Sequence, residues 1–206
     1  MQNIEAIDNF NTFLQDIPLW AYSIPYILHA LTVVYLFSKK ETVRGSKPLY
    51  DIIISNIPDL SKFRMIPNIL LFVLMSYLII PLIFKPNVDV FISIYRYFSI
   101  ILLLRSITIS STILPPIDRN CDFKLNMHTF MDGHCLDKIF SGHTAFSLLL
   151  VFVCNKYSIL SNSFIYILLF IQLVLALSLI LTRGHYTVDV ILGYLITIPI
   201  LLLFDL

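Results

Sequence analysis

The sequence predicts an all-α, polytopic membrane protein with about six transmembrane helices. Of its 206 residues, 58% are apolar and 13% are charged, with a mean hydropathy of +0.85. Ordinary globular domains carry about a quarter charged residues. A chain this apolar cannot cover itself with polar surface, so lipid is its expected solvent. The apolar residues are also gathered into runs near the length of a crossing helix, about 20 residues, with no alternating barrel pattern between turns.

The first uncharged run covers residues 17–38 and stops at Lys39-Lys40; the second, 65–84, is bracketed by Arg64 and Lys85. A third begins near Val90 and passes Leu104, carrying Arg96 and Arg105. A fourth starts around Ile139 and ends at Asn155-Lys156, and the fifth and sixth cover about 161–182 and 186–204. Prolines 18, 25, 67, 81 and 199 fall in or beside these runs, which membrane helices tolerate better than soluble ones. At about 20 residues each, six crossings leave no room for a separate soluble domain, so residues 1–206 read as one membrane-embedded domain. That argues against a nucleotide-driven pump or a large receptor. A net charge of +1 gives no signal for nucleic acid as a partner. Residues 1–16 carry Glu5, Asp8 and Asp16 without Lys or Arg, so no cleavable signal is expected there.

Two connections are long, about 39–64 and 115–138, and fall on one face, where the short turn near Arg183 joins them. Ten basic residues lie on that face, against Lys85 and Lys156 opposite. Charge counting alone therefore places the long-loop face in the cytoplasm.

The chemistry-bearing residues converge on the same face. Ser141-Gly142-His143 opens the fourth run, and His185 and Asp189 enter the sixth. Four residues apart, His185 and Asp189 share one helical face. A carboxylate that accepts one imidazole N–H leaves the other nitrogen as base or nucleophile; the same pair also serves as a self-satisfied structural contact between helices. A Ser-Gly helix start offers unpaired N–H groups to a phosphate, beside which His143 can move protons. Arg105 either snorkels from the third run or forks onto phosphate oxygens. Arg96 is out of phase with it, and Asp89, two turns earlier, is its expected structural partner. Cys121, His128, His134 and Cys135 have the wrong spacing for zinc, so no metal site is expected. Cys154 and His29 read as packing residues.

The S-G-H block followed by H-x-x-x-D resembles the type 2 phosphatidate phosphatase superfamily. The surroundings, about residues 48–195, resemble its sphingomyelin synthase-like branch. Pro48-Leu49-Tyr50-Asp51 approximates that branch's P-L-P-D, and Arg105-Ser106-Ile107-Thr108 leads to Thr112-Ile113-Leu114-Pro115. Cys135, Ser141-Gly142-His143-Thr144 and His185-Tyr186-Thr187-Val188-Asp189-Val190 follow in order. Departures are Tyr50 for the second proline, Cys135-Leu136-Asp137 for C-G-D, and Leu179 where the phosphatase branch has an arginine. Arg183 stands just before the second histidine instead.

The resemblance implies a phosphotransferase that takes a phosphorylated head group from a glycerophospholipid donor to a ceramide acceptor, with no cofactor and no metal. It assigns catalysis to His143, His185 and Asp189, and phosphate binding to Arg105, Ser141, Gly142 and Arg183. It also implies a Golgi or plasma membrane setting with the site exoplasmic, an orientation that the shared motif favours over the charge count, and an oxidising compartment would let Cys121 and Cys135 pair. The alternatives are a lipid phosphate phosphatase using the same histidines with water as acceptor, and a non-catalytic lipid-binding or membrane-organising protein that retains the pocket, which the presence of both histidines disfavours. The head group is not legible.

Overall fold

The computed structural model describes residues 12–14, 16–43, 46–117 and 138–203, which contain helices and no strand. After a 3-10 turn at Leu19–Tyr22 come α1 (Ser23–Ser38), α2 (Lys40–Val43) and α3 (Ile52–Asn56). A second 3-10 turn at Ser61–Phe63 leads to α4 (Ile66–Phe84) and α5 (Val88–Ser111). The chain then forms α6 (Gly142–Lys156), α7 (Asn162–Leu181) and α8 (Thr187–Leu203). Each of the six apolar runs has become a long helix. The stretch 118–137, with Cys121, His128, His134 and Cys135, lies outside the described residues.

Local chemistry sets the helix ends. Asn87 accepts from the Asp89 N–H at the start of α5, and Ser141 accepts from Thr144 N–H at the start of α6, each satisfying a first-turn donor. Pro67 sits in the first turn of α4, where its missing N–H costs nothing. At the end of α7, Arg183 takes the left-handed conformation (φ 59). Its N–H reaches Ile180 O, and Gly184 N–H reaches Leu179 O, the paired bonds of a Schellman stop.

Four segments, Leu19–Ser38, Ser61–Phe84, Val88–Ser111 and Asn162–Leu181, are long and apolar enough to cross a membrane. α8 is apolar but has 17 residues, and α6 has 15. At 1.5 Å per residue, α6 covers about 22 Å, short of the roughly 30 Å hydrocarbon layer. Its position explains the shortfall. α6 packs against α4, α5, α7 and α8, and Leu148, Leu149, Leu150, Val151, Val153 and Cys154 along it are buried. A helix surrounded by protein need not match the lipid. On the periphery, α4 exposes Ile69, Phe72 and Ile83, and α7 exposes Tyr166, Phe170 and Leu177, an apolar belt suited to acyl chains. α1 packs on α5 at the edge, fixed by His29 Nδ1 to Ser106 Oγ (3.2 Å), Ser99 Oγ to Tyr22 O (2.8 Å) and Tyr26 OH to Tyr95 O (3.1 Å).

One expectation from helical phase is not met. Asp89 is exposed and forms no ion pair with Arg96 among the described residues. The Arg96 guanidinium lies instead over the Tyr22 ring, 5.6 Å from its centroid. The aromatic face delivered by the neighbouring segment competes successfully with a carboxylate two turns away on the same helix.

The seam between α6 and α8 is close at Gly193. A Cβ added at Gly193 would stand 3.0 Å from Thr144 Cβ and 3.3 Å from Ser141 O, and neither the β-branched carbon nor the backbone can yield easily. Gly193→Ala should therefore push α8 off α6 and destabilise the fold by about 1–3 kcal/mol, read as a lower melting temperature in detergent. An unchanged melting temperature would mean the seam opens freely.

Candidate active site

The site lies at one end of the bundle, where α4, α6 and α8 begin and the C-terminal half of α5 arrives. The short links α4–α5, α6–α7 and α7–α8 make this juxtaposition a consequence of antiparallel threading. α6 and α8 are joined directly: Ser141 N–H donates to Asp189 O at 3.0 Å. Ser141 Oγ then accepts from Thr144 N–H (3.3 Å) and Thr144 Oγ1 (3.1 Å). Phe140, immediately before, is held in the left-handed region (φ 64) and gives its carbonyl to Arg105 Nη1.

His185 and Asp189 come together as their spacing predicts. His185 Nδ1 lies 3.4 Å from Asp189 Oδ2 and 3.5 Å from Lys138 O. Asp189 Oδ2 also accepts from Tyr186 N–H at 2.9 Å. Asp189 is fully buried and His185 is 3% exposed, so bulk water is excluded from the pair. Two acceptors facing Nδ1 favour the tautomer that carries its proton there, leaving a lone pair on Nε2. Burial lowers the imidazole pKa; the bond to Asp189 opposes this, and the positive charges of Lys138 and Arg105 reinforce it. The net direction is downward, towards a neutral ring.

Arg105 is buried beside the α6 start, and its guanidinium passes so close to Gly142 that an added Cβ would meet Cζ and Nη1 at 3.2 Å. Glycine at 142 is thus a requirement of close approach. His143 faces α4, with Nε2 2.8 Å from Asn68 Oδ1, so Nε2–H donates to the carboxamide oxygen. Gly142 and His143 stand on the α6 start, Arg105 reaches it from α5, and His185 and Asp189 belong to the α8 start bonded to it. Arg183 goes elsewhere. Its Nη1 and Nη2 donate to Ile54 O (2.7 Å) and Ile57 O (3.0 Å), and Nε lies 3.9 Å from Asp59, which ties α3 to the end of α7.

Several contributors are given no role by the sequence, although Tyr186 and Asp51 stand inside the motif blocks. Lys138 is buried, and its Nζ donates to Gly184 O at 2.7 Å; in the sequence it was one charge among ten on that face. Asn68 sits in an apolar run that gives no hint of its partner. Tyr186 OH donates to Pro115 O (2.9 Å) and accepts from Leu49 N–H (3.0 Å), bridging the two long connections. Asp51 has the largest reach. Its Oδ1 accepts from Ile53 N–H (3.0 Å) and Ile54 N–H (3.1 Å) at the start of α3. Its carboxylate also accepts from Thr187 N–H (2.8 Å) and Thr187 Oγ1 (3.0 Å) at the start of α8. One carboxylate therefore caps two helices.

Residues 134–205, about the last third of the chain, match the family described as PAP2 superfamily C-terminal. No curated protein matches the chain. The match covers both histidine blocks and supports a relation to the type 2 phosphatidate phosphatase superfamily, and with it phosphoryl transfer on lipids as the class of chemistry. It does not distinguish the sphingomyelin synthase-like branch.

Burial opposes ionisation of Asp51, but the bonds from Ile54, Thr187 and Ile53 outweigh it and hold the carboxyl below its ordinary value. A pKa lower in the folded than in the unfolded state contributes stability that is complete above the unfolded value, about pH 4. That contribution is lost as pH falls through the lower, folded value. On acidification below about pH 4, the melting temperature of the wild type should fall more steeply than that of Asp51→Asn. Parallel curves would show that the carboxylate does not bear the caps. At neutral pH, Asp51→Ala should cost about 1–2 kcal/mol per cap.

Proposed function

We propose that the chain is a membrane phosphotransferase moving a phosphorylated head group from a glycerophospholipid to ceramide, giving a phosphosphingolipid and diacylglycerol. The observation that carries this reading is the buried His185–Asp189 pair, bonded through Ser141 to a second helix start that presents Gly142 and His143, with Arg105 of α5 packed against it. Nε2 of His185 attacks the donor phosphorus, the bond to the diacylglycerol oxygen breaks, and His143 protonates that oxygen as it leaves. The ceramide primary hydroxyl then gives its proton to His143 and attacks the phosphohistidine, freeing His185. Asp189 holds the imidazole and stabilises it as charge develops.

Arg105, the Gly142 N–H and the positive end of α6 would hold the phosphoryl oxygens. Ser141 shapes this seat, since its N–H and Oγ are already engaged. Arg183 contributes by fixing the first long connection against the α7–α8 turn. The contact from His143 Nε2 to Asn68 marks the proton that a leaving oxygen would receive. The runner-up is hydrolysis by water through the same histidines. Burial of His185 at 3% exposure favours a lipid hydroxyl as acceptor, because it shields the phosphohistidine from bulk water. The site end is proposed to be exoplasmic, in a Golgi or plasma membrane setting.

Membranes given fluorescent ceramide and mixed phospholipids should form a new labelled sphingolipid; release of free phosphate without it would establish the hydrolase. His185→Ala should abolish turnover in a folded protein, and Asp189→Asn should lower it on the order of 10²-fold or more. Near-normal turnover in purified His185→Ala would end the mechanism. Replacement of His143 should remove one limb of a bell-shaped pH profile, and an unchanged profile would reduce Ser141-Gly142-His143 to a helix start. Glycosylation of an acceptor placed beside Asn126 would report an exoplasmic loop. An unmodified acceptor with a lumenal N-terminal tag would reverse the orientation.

A further inference from the structure

We infer that the first long connection is an interfacial anchor, with Leu49, Tyr50, Ile52 and Ile53 seated at the headgroup–acyl boundary of the bilayer beside the active-site end. The inference needs only the membrane setting and holds whether or not the histidines transfer phosphate. These four side chains are 49%, 82%, 68% and 47% exposed. So dense a group of bare apolar side chains on a connection facing water would be anomalous. The segment is also two-sided. Ile54 and Ile57 turn inward against the hydrophobic core, so α3 is already anchored on one side and presents the isoleucines before them outward.

Depth follows from the double cap. Asp51, in the middle of the exposed group, is bonded to the N–H and hydroxyl of Thr187, the first residue of α8. α8 has 17 residues, about 25 Å at 1.5 Å per residue, against a hydrocarbon layer of about 30 Å. Val188 and Ile191, in the first turns of α8, are exposed apolar side chains suited to lipid, so the helix starts at the boundary and Asp51 is tied to that level. Tyr50 and Ile52 on either side of it then meet lipid.

The flanking chemistry agrees. Lys47, Lys62 and Arg64 are exposed on the same connection, and Lys62 Nζ lies 5.0 Å over the Phe63 ring. Basic groups interleaved with apolar and aromatic ones suit a layer of lipid phosphates above acyl chains. Phe63 and Met65, both exposed, continue directly into the lipid-facing Ile66, Ile69 and Phe72 of α4. The anchor thus prolongs the belt that the spanning helices already offer to lipid. Basic residues of this connection serve lipid phosphates on whichever leaflet they meet, so part of the charge asymmetry ceases to report compartment.

Trp20 is the single tryptophan, so a Trp20→Phe background permits a spectroscopic test in the full chain. Ile52→Trp and, separately, Tyr50→Trp are reconstituted into phosphatidylcholine vesicles containing a fifth phosphatidylserine, with or without bromine on the acyl chains. The anchor predicts blue-shifted indole emission, quenched several-fold more by brominated lipid placed about 5–10 Å deep than by aqueous iodide. Water-like emission with full iodide quenching and no response to bromine would overturn it. Protection from both quenchers would overturn it too, because the segment would then be covered by protein, such as a second copy of the chain. Using both positions guards against one substitution disturbing α3, and size-exclusion elution matching the background confirms folding.

Discussion

The hydrogen bond from Ser141 N–H to Asp189 O is the joint on which the site depends. It sets the starts of α6 and α8 side by side, pointing the same way. Two parallel helix starts bring two positive dipole ends together, which is unfavourable unless negative charge stands between them. Asp189 and Asp51 supply it at α8, one inside the bundle and one at its rim. Arg105 and Lys138 add further positive charge near His185. The same joint that orders the fold thus gathers two helix starts and two cations around His185, the setting in which the proposed phosphoryl transfer would take place.

Every residue assigned a part in that chemistry is positioned by an element with little freedom. Arg105 is clamped between the Phe140 carbonyl and the Gly142 backbone, His143 is steadied by Asn68, and His185 is fixed in a turn that begins as the stop of α7. Sites carried on rigid helix ends keep their geometry better than sites on long loops. The long connections contribute from outside, through Asp51 and through the bonds that Tyr186 and Arg183 make to them.

The fold was legible because its signals are local. Hydropathy runs marked six helices to within a few residues, and the four-residue spacing of His185 and Asp189 put them on one face. What could not be read joins residues far apart in the chain. Asp51 and Thr187 are separated by 136 positions, and nothing in Pro48-Leu49-Tyr50-Asp51 announces a shared cap. Asn68 is an isolated polar residue whose partner is set only by packing. Arg183 beside a histidine motif suggested phosphate, whereas the bare carbonyls at the end of α3 take its guanidinium. Arg96 shows the same limit in reverse, since helical phase named a partner that the neighbouring aromatic displaced.

The left-handed residue at the end of α7 has a consequence for protein engineering. Glycine is the usual occupant of that position, and an L side chain there costs roughly 1 kcal/mol. A routine stabilisation scan would therefore nominate Arg183→Gly. In this molecule the arginine that bears the strain is also the strap that holds α3 down, through Ile54 and Ile57. Relaxing the backbone would release the connection that Asp51 ties to α8. The chain trades a relaxed turn for a tethered one, so optimising its secondary structure in isolation would loosen the end of the bundle where the histidines lie.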